Sequence, residues 1–126
     1  MNRTEKAELI ETLQATLSSA TSVVVAHQSG LTVSESSELR AKMREAGAGF
    51  KVTKNRLTKL ALQGTKYENL TDLFTGPTAI GTSSDPVSAA KTLVSFAKTN
   101  DKLTIIGGSL DGKVLDKAGV EALATL

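Results

Sequence analysis

The spacing of apolar residues changes period several times along the chain, and each change predicts a new element. Leu9, Ile10, Leu13 and Leu17 recur at helical steps and mark one buried face. Asn2 with Glu5 three residues on has the form of a capping box and sets the start of that helix. Residues 18–22 (SSATS) are a polar break. Residues 23–26 (VVVA) are an unbroken β-branched run, read as a strand buried on both faces. Gly30 turns the chain, and Thr32 with Glu35 opens a second helix. Its apolar stripe is Val33, Leu39, Met43 and Ala46, with Arg40 and Arg44 one step around. Gly47 and Gly49 end it by allowing left-handed backbone geometry.

In residues 50–57 (FKVTKNRL) period two gives way to a helical period. Phe50 and Val52 alternate with Lys51 and Thr53 as a strand, and Thr53 is placed to cap a helix with Leu57, Leu60 and Ala61 as its stripe. Residues 64–74 read as a loop or short helical turn. Gly76 and Pro77 open a third strand. Asp85 as N-cap and Pro86 at the first helical position predict a helix with Val87, Ala90, Leu93, Val94 and Ala97 on one face. Residues 103–110 (LTIIGGSL) form a fourth strand, within which Gly107 and Gly108 signal a close backbone approach or a bulge. Asp111 and Gly112 make a hairpin-type turn into a short fifth strand, and Asp116 caps a last helix.

This order fits two architectures. One is an α+β, ferredoxin-like (split βαβ) antiparallel sheet with extra helices. The other is an open parallel α/β sheet with helices on both faces. Pattern alone leaves both open.

Composition narrows the function classes. The 126 residues, 40% hydrophobic and 22% charged, suit one soluble domain with a modest core. No apolar run approaches the roughly 20 residues that cross a bilayer, and the N-terminus lacks a signal-peptide block. The absence of cysteine removes disulfides and thiolate metal sites, and it suits a cytosolic protein. Neither a phosphate loop nor a dinucleotide fingerprint is present. His27, the only histidine, has no partner residue that would make a metal or catalytic site. No serine sits in a nucleophile elbow. The expectation is a non-enzymatic protein with no cofactor, no metal and no catalytic residue.

Charge supplies the positive signal. The net charge of +2 conceals a segment, residues 40–66, with eight basic residues against one acid. Residues 1–39 carry −3 and residues 67–126 carry −2. Such segregation implies a polyanionic partner. Lys54 and Arg56 also crowd the start of a helix, where the macrodipole disfavours cations unless an anion joins them. With three Phe and one Tyr, two of them in core positions, little aromatic surface remains to stack bases. Contacts should therefore run mainly to phosphate and sugar.

The stretches VVVAHQSGLT, LRAKMREAGAGFKVTKNRLTKLA and LFTGPTAI together resemble the bacterial large-subunit ribosomal protein L10 family, the base of the ribosomal stalk, whose eukaryotic and archaeal counterpart is the acidic stalk protein P-zero. The resemblance runs the whole length, most specifically at Gly30–Leu31–Thr32, Leu39–Arg40, the KVTKN block and Gly76 with Pro77. It implies a cytoplasmic protein on the large subunit that binds rRNA at the GTPase-associated centre beside ribosomal protein L11. It further implies a long C-terminal helix, absent from this chain, carrying acidic stalk dimers that recruit translation factors, and repression of the family's own messenger RNA. The implied organisation is an rRNA-binding α/β domain over residues 1–115 and the start of a helical segment over residues 116–126. A ribosome-assembly or mRNA-turnover paralogue on the same RNA site is the runner-up, and an enzyme with an anion site near Thr53 a distant third.

Candidate rRNA-binding residues are Lys51, Lys54, Asn55, Arg56 and Lys59, with Arg3, Lys6 and Arg40 as a second group. Asn55 would touch a sugar or base edge. Arg40 could equally brace the fold through a hydrogen bond from helix to loop. Lys42 and Lys66 read as plain solubility charges, and Gly30, Gly76 and Pro77 as backbone requirements.

Overall fold

The structure is a computed structural model that describes residues 2–52 and 54–126. Elements follow in the order α1 (Arg3–Ser19), β1 (Ser22–Gln28), α2 (Val33–Glu45), β2 (Ala48–Lys51), α3 (Asn55–Leu62), a 3-10 helix (Glu68–Leu73), β3 (Thr78–Ser83), α4 (Ser88–Thr99), β4 (Leu103–Leu110), β5 (Lys113–Asp116) and α5 (Lys117–Ala124).

The five strands form one sheet in the order β2-β3-β1-β4-β5, with every neighbouring pair antiparallel. β3 inserts between β1 and β2, and β1 between β3 and β4, which is the split βαβ arrangement. The parallel alternative is excluded. Helices do cover both faces, because β1 is buried on both sides as its sequence predicts. Val24 and Ala26 pack with Leu39 and Met43 of α2, with Leu93 of α4, and with Val120 and Leu123 of α5. Val23 and Val25 pack with Leu13 and Leu17 of α1, with Ala61 and Leu62 of α3, and with Tyr67, Leu70 and Phe74.

Local signals explain the ends of most elements. The Asn2 side chain accepts from the Glu5 N–H at 2.8 Å. At α2 both halves of the capping box form, Glu35 N–H to Thr32 Oγ1 at 3.1 Å and Thr32 N–H to Glu35 Oε1 at 3.0 Å. Asp111 and Gly112 take φ of 50° and 92°, the double positive that a tight hairpin needs. Asp116 Oδ1 accepts from Gly119 N–H at 2.7 Å and starts α5.

Several expectations are corrected. Val33 is 86% exposed rather than on the core stripe, because it lies in the first turn of α2, ahead of the part that crosses the sheet. Gly49 belongs to β2 and has no positive φ; Gly47 alone, at 77°, ends α2 in left-handed geometry. β2 stops at Lys51, leaving Val52 40% exposed. α4 begins at Ser88, two residues past Pro86, although Asp85 Oδ2 still accepts from the Val87 and Ser88 N–H groups at 3.1 and 2.8 Å. The glycine pair in β4 is a close approach beside a bulge. β4 slips register against β1 between Val25 and Ala26, and a Cβ on Gly108 would lie 2.5 Å from the Val23 carbonyl oxygen.

Candidate nucleic-acid interface

Every candidate cation except Arg40 can be traced to the α1–α3 side or to the strand end that leads into it. α1 runs antiparallel to β1 in space, because only a short turn joins them, so its first residues lie at the end of the sheet where β1 finishes. α3 packs along α1 and begins at that same end. The consequence is a contact that no local pattern contains: Lys6 and Ile10 of α1 line one groove with Lys54, Arg56, Leu57 and Leu60. Arg3 precedes Lys6 by three residues, the spacing that keeps two side chains on one helix face.

Lys51 closes β2. Phe50 packs into the core under α2 and α4, so strand alternation turns the exposed Lys51 toward the α1–α3 side. Lys54 is the N-cap residue of α3 and supplies no side-chain cap hydrogen bond. Thr53, expected as that cap, lies outside the described residues. Lys59, in the last turn of α3, is half-buried, where a cation complements the C-terminal end of the helix dipole.

Asn55 has an architectural bond that the sequence did not announce. Its Nδ2 donates to the Gly76 carbonyl at 2.8 Å, and Thr78 Oγ1 donates to the same oxygen at 3.1 Å. The next residue, Pro77, accepts from the Gln28 N–H at 2.9 Å. Through this chain the start of α3, the Gly76 turn and the end of β1 are fixed to one another. Among the described residues Asn55 Oδ1 has no hydrogen-bond partner.

Arg40 lies on α2, across the sheet from the groove, and is exposed. Among the described residues its side chain has no hydrogen-bond or ion-pair partner, so the bracing role is not observed. The same holds for the side chains of Arg3, Lys6, Lys51, Lys54, Arg56 and Lys59. Among the described residues their charges therefore have no ion-pair partner, which is the state that favours an external anion.

Two lysines read as solubility charges turn out to be engaged. Lys42 Nζ lies 3.2 Å from Glu38 Oε1 and 5.8 Å from the centre of the Phe96 ring. Lys66 Nζ lies 2.6 Å from Asp111 Oδ1 and 5.5 Å from the centre of the Tyr67 ring, and the bond to Asp111 raises its pKa. Long sequence separation hides the second pair. Glu35 is also more than a cap residue: its carboxylate receives Lys102 Nζ at 2.9 Å and Asn100 Nδ2 at 2.5 Å. Led by the lysine bond, these donors lower its pKa to about 2. Among the described residues no group of His, Asp or Glu could hold a metal ion, and no helix is long and apolar enough to cross a membrane.

Comparison with known proteins identifies related chains. The family model described as ribosomal protein L10 matches residues 1–98. The large ribosomal subunit protein uL10 of Paramagnetospirillum magneticum is 62% identical over all 126 residues, which span 74% of that relative. The uL10 proteins of Sphingopyxis alaskensis and Rhodospirillum rubrum are 59% and 57% identical over the whole chain, covering 74% and 73% of theirs.

Proposed function

Because the chain belongs to the ribosomal protein L10 family, we propose that its α1–α3 face binds large-subunit rRNA at the stalk base. Family membership makes it a structural, non-enzymatic component of the large ribosomal subunit in the cytoplasm. The observation that carries the finer reading is the convergence of Lys6, Lys54 and Arg56 on one groove, from elements almost 50 residues apart and with no acid lining it. Lys51 and Arg3 extend this positive field, and Asn55 adds a directional polar contact. Each phosphate neutralised by such a cation releases condensed counterions, so affinity comes chiefly from charge and falls as salt rises.

On this reading the domain is the RNA-bound foot of the stalk, with ribosomal protein L11 as its neighbour on the same RNA. Residues 1–115 form the RNA-binding unit, and residues 116–126 lead toward a C-terminal helix that anchors the acidic stalk dimers and, through them, translation factors.

Filter binding to the stalk-base rRNA fragment over a salt series tests the RNA contact. Changing both Lys6 and Lys54 to Glu should weaken binding strongly. It should also flatten the plot of log K against log salt by about two, one for each lost phosphate contact. Salt-insensitive binding by the parent chain, or a double variant that matches the parent, would refute the proposal.

A further inference from the structure

The floor of the α1–α3 groove does not match a surface that meets phosphate alone. Beside its three cations the groove is lined by Ile10, Leu57 and Leu60. Leu57 is buried, Ile10 half-buried, and Leu60 is 40% exposed although the sequence places it on the core stripe of α3. Phosphates and ribose hydroxyls gain nothing from leucine. An apolar knob from a protein partner would strip water from Lys6, Lys54 and Arg56 without compensating their charge, which is costly. A nucleotide satisfies both halves, since its base is flat and largely apolar on its faces while its phosphates are anionic. Arginine guanidinium planes stack splayed bases as aromatic rings do, and sequence-specific RNA recognition takes place mostly at such unstacked nucleotides.

Resting on the RNA-binding reading above, we propose that this groove of about 290 Å³ seats one unstacked base of the RNA. The base lies on Leu60 and Ile10 against the Arg56 guanidinium, and its flanking phosphates meet Lys6 and Lys54. The chain lacks exposed aromatic residues for the purpose, and the aliphatic floor with arginine takes their place. The site therefore adds local recognition of a bulged or looped nucleotide to a contact otherwise read by charge and shape.

The test uses the full chain and the stalk-base rRNA fragment, with Leu60→Ser, Leu60→Met and a set of RNAs each abasic at one looped or bulged position. Leu60→Ser removes the floor and leaves every charge in place; thermal melting checks that it is folded. It should bind about tenfold more weakly at every salt concentration, with an unchanged salt slope, while Leu60→Met binds like the parent. One abasic RNA should show the same loss with the parent chain and no further loss with Leu60→Ser. Parental affinity for Leu60→Ser, with a normal salt slope, overturns the base seat and leaves RNA binding standing. A loss for Leu60→Ser that couples to no abasic position also overturns it. So does Leu60→Ser that binds RNA normally but no longer associates with ribosomal protein L11, which would make the groove a protein contact. A parent chain that fails to bind RNA removes both readings at once.

Discussion

Replacing Gly108 by alanine should destabilise the domain more than any other single methyl added to the sheet. The new Cβ would stand 2.5 Å from the Val23 carbonyl oxygen, 3.2 Å from Val120 Cγ2 and 3.3 Å from Val24 Cα. Carbon–oxygen contacts become comfortable only beyond roughly 3.3 Å, so β1 and β4 must part by most of an ångström. They are neighbours at the centre of the sheet with helices on both faces, and the obstructing oxygen is backbone, so no rotamer change relieves the contact. Overpacking of this kind costs about 3 kcal/mol, the upper part of its usual range. The smaller entropy of the unfolded alanine chain offsets about 0.4–1 kcal/mol. The net loss of about 2–3 kcal/mol corresponds to a melting temperature lower by about 10 °C for a domain of this length. Gly81→Ala is the internal control. Its Cβ also meets an atom at 2.5 Å, but that atom is Leu93 Cδ1, the end of a side chain that can turn away. Reversible melts followed by circular dichroism and calorimetry give both values. If Gly108→Ala melts within about 2 °C of the parent, or loses less than Gly81→Ala, the close-approach account of β4 is wrong.

The Tyr67 hydroxyl, fully buried, donates to the Ala20 carbonyl, and Tyr67→Phe should cost about 1–3 kcal/mol in urea unfolding with an unchanged m-value. Glu35 has a folded pKa of about 2 against 4.5 in the free state, so its contribution is complete above pH 4.5 and disappears as pH falls through 2. Glu35→Gln should therefore melt below the parent at pH 7 and together with it at pH 2; a gap that stays constant from pH 7 to pH 2 would remove the Lys102 contact as its cause. Arg40, across the sheet from the groove, should change the salt slope of RNA binding less as Arg40→Ala than Lys54 does as Lys54→Ala, and equal slopes would mean that the RNA reaches both faces.

What could be read in the sequence was local. The capping box at Thr32 and Glu35, the turn at Asp111 and Gly112, and the cap at Asp116 each depend on residues within four positions, and all formed as expected. The choice between parallel and antiparallel sheets could not be read, because both produce the same alternation of elements; insertion of β3 between β1 and β2 decided it. Helical periodicity identified Leu57 and Ala61 as core but could not know that α3 lies at the margin of α1, where Leu60 stays open. The bonds from Lys66 to Asp111, Asn55 to Gly76 and Tyr67 to Ala20 span 45, 21 and 47 residues. No spacing rule reaches that far. The groove belongs to the same class, since Lys6 meets Lys54 and Arg56 only through the packing of α1 on α3.

Folding also changes the meaning of the basic segment. In sequence, residues 40–66 form one block; in space β2, an edge strand, divides it. The part on α2 packs over one face, and Lys42 there is drawn toward Glu38 and Phe96. The part from Lys51 onward passes the sheet edge to the other face, where Lys6 joins it from the acidic N-terminal third. Net charge per segment therefore underestimates the groove, because it counts Lys6 among the acids of α1. Glu5, Glu8 and Glu11 lie elsewhere around that helix at 100° per residue, and none lines the groove. An amphipathic division of charge around α1 thus does what the linear count could not show. It gives an acidic segment one basic side and turns that side toward the cations of α3. The positive end of α3, costly for Lys54 and Arg56 in isolation, becomes favourable once a phosphate shares it with Lys6.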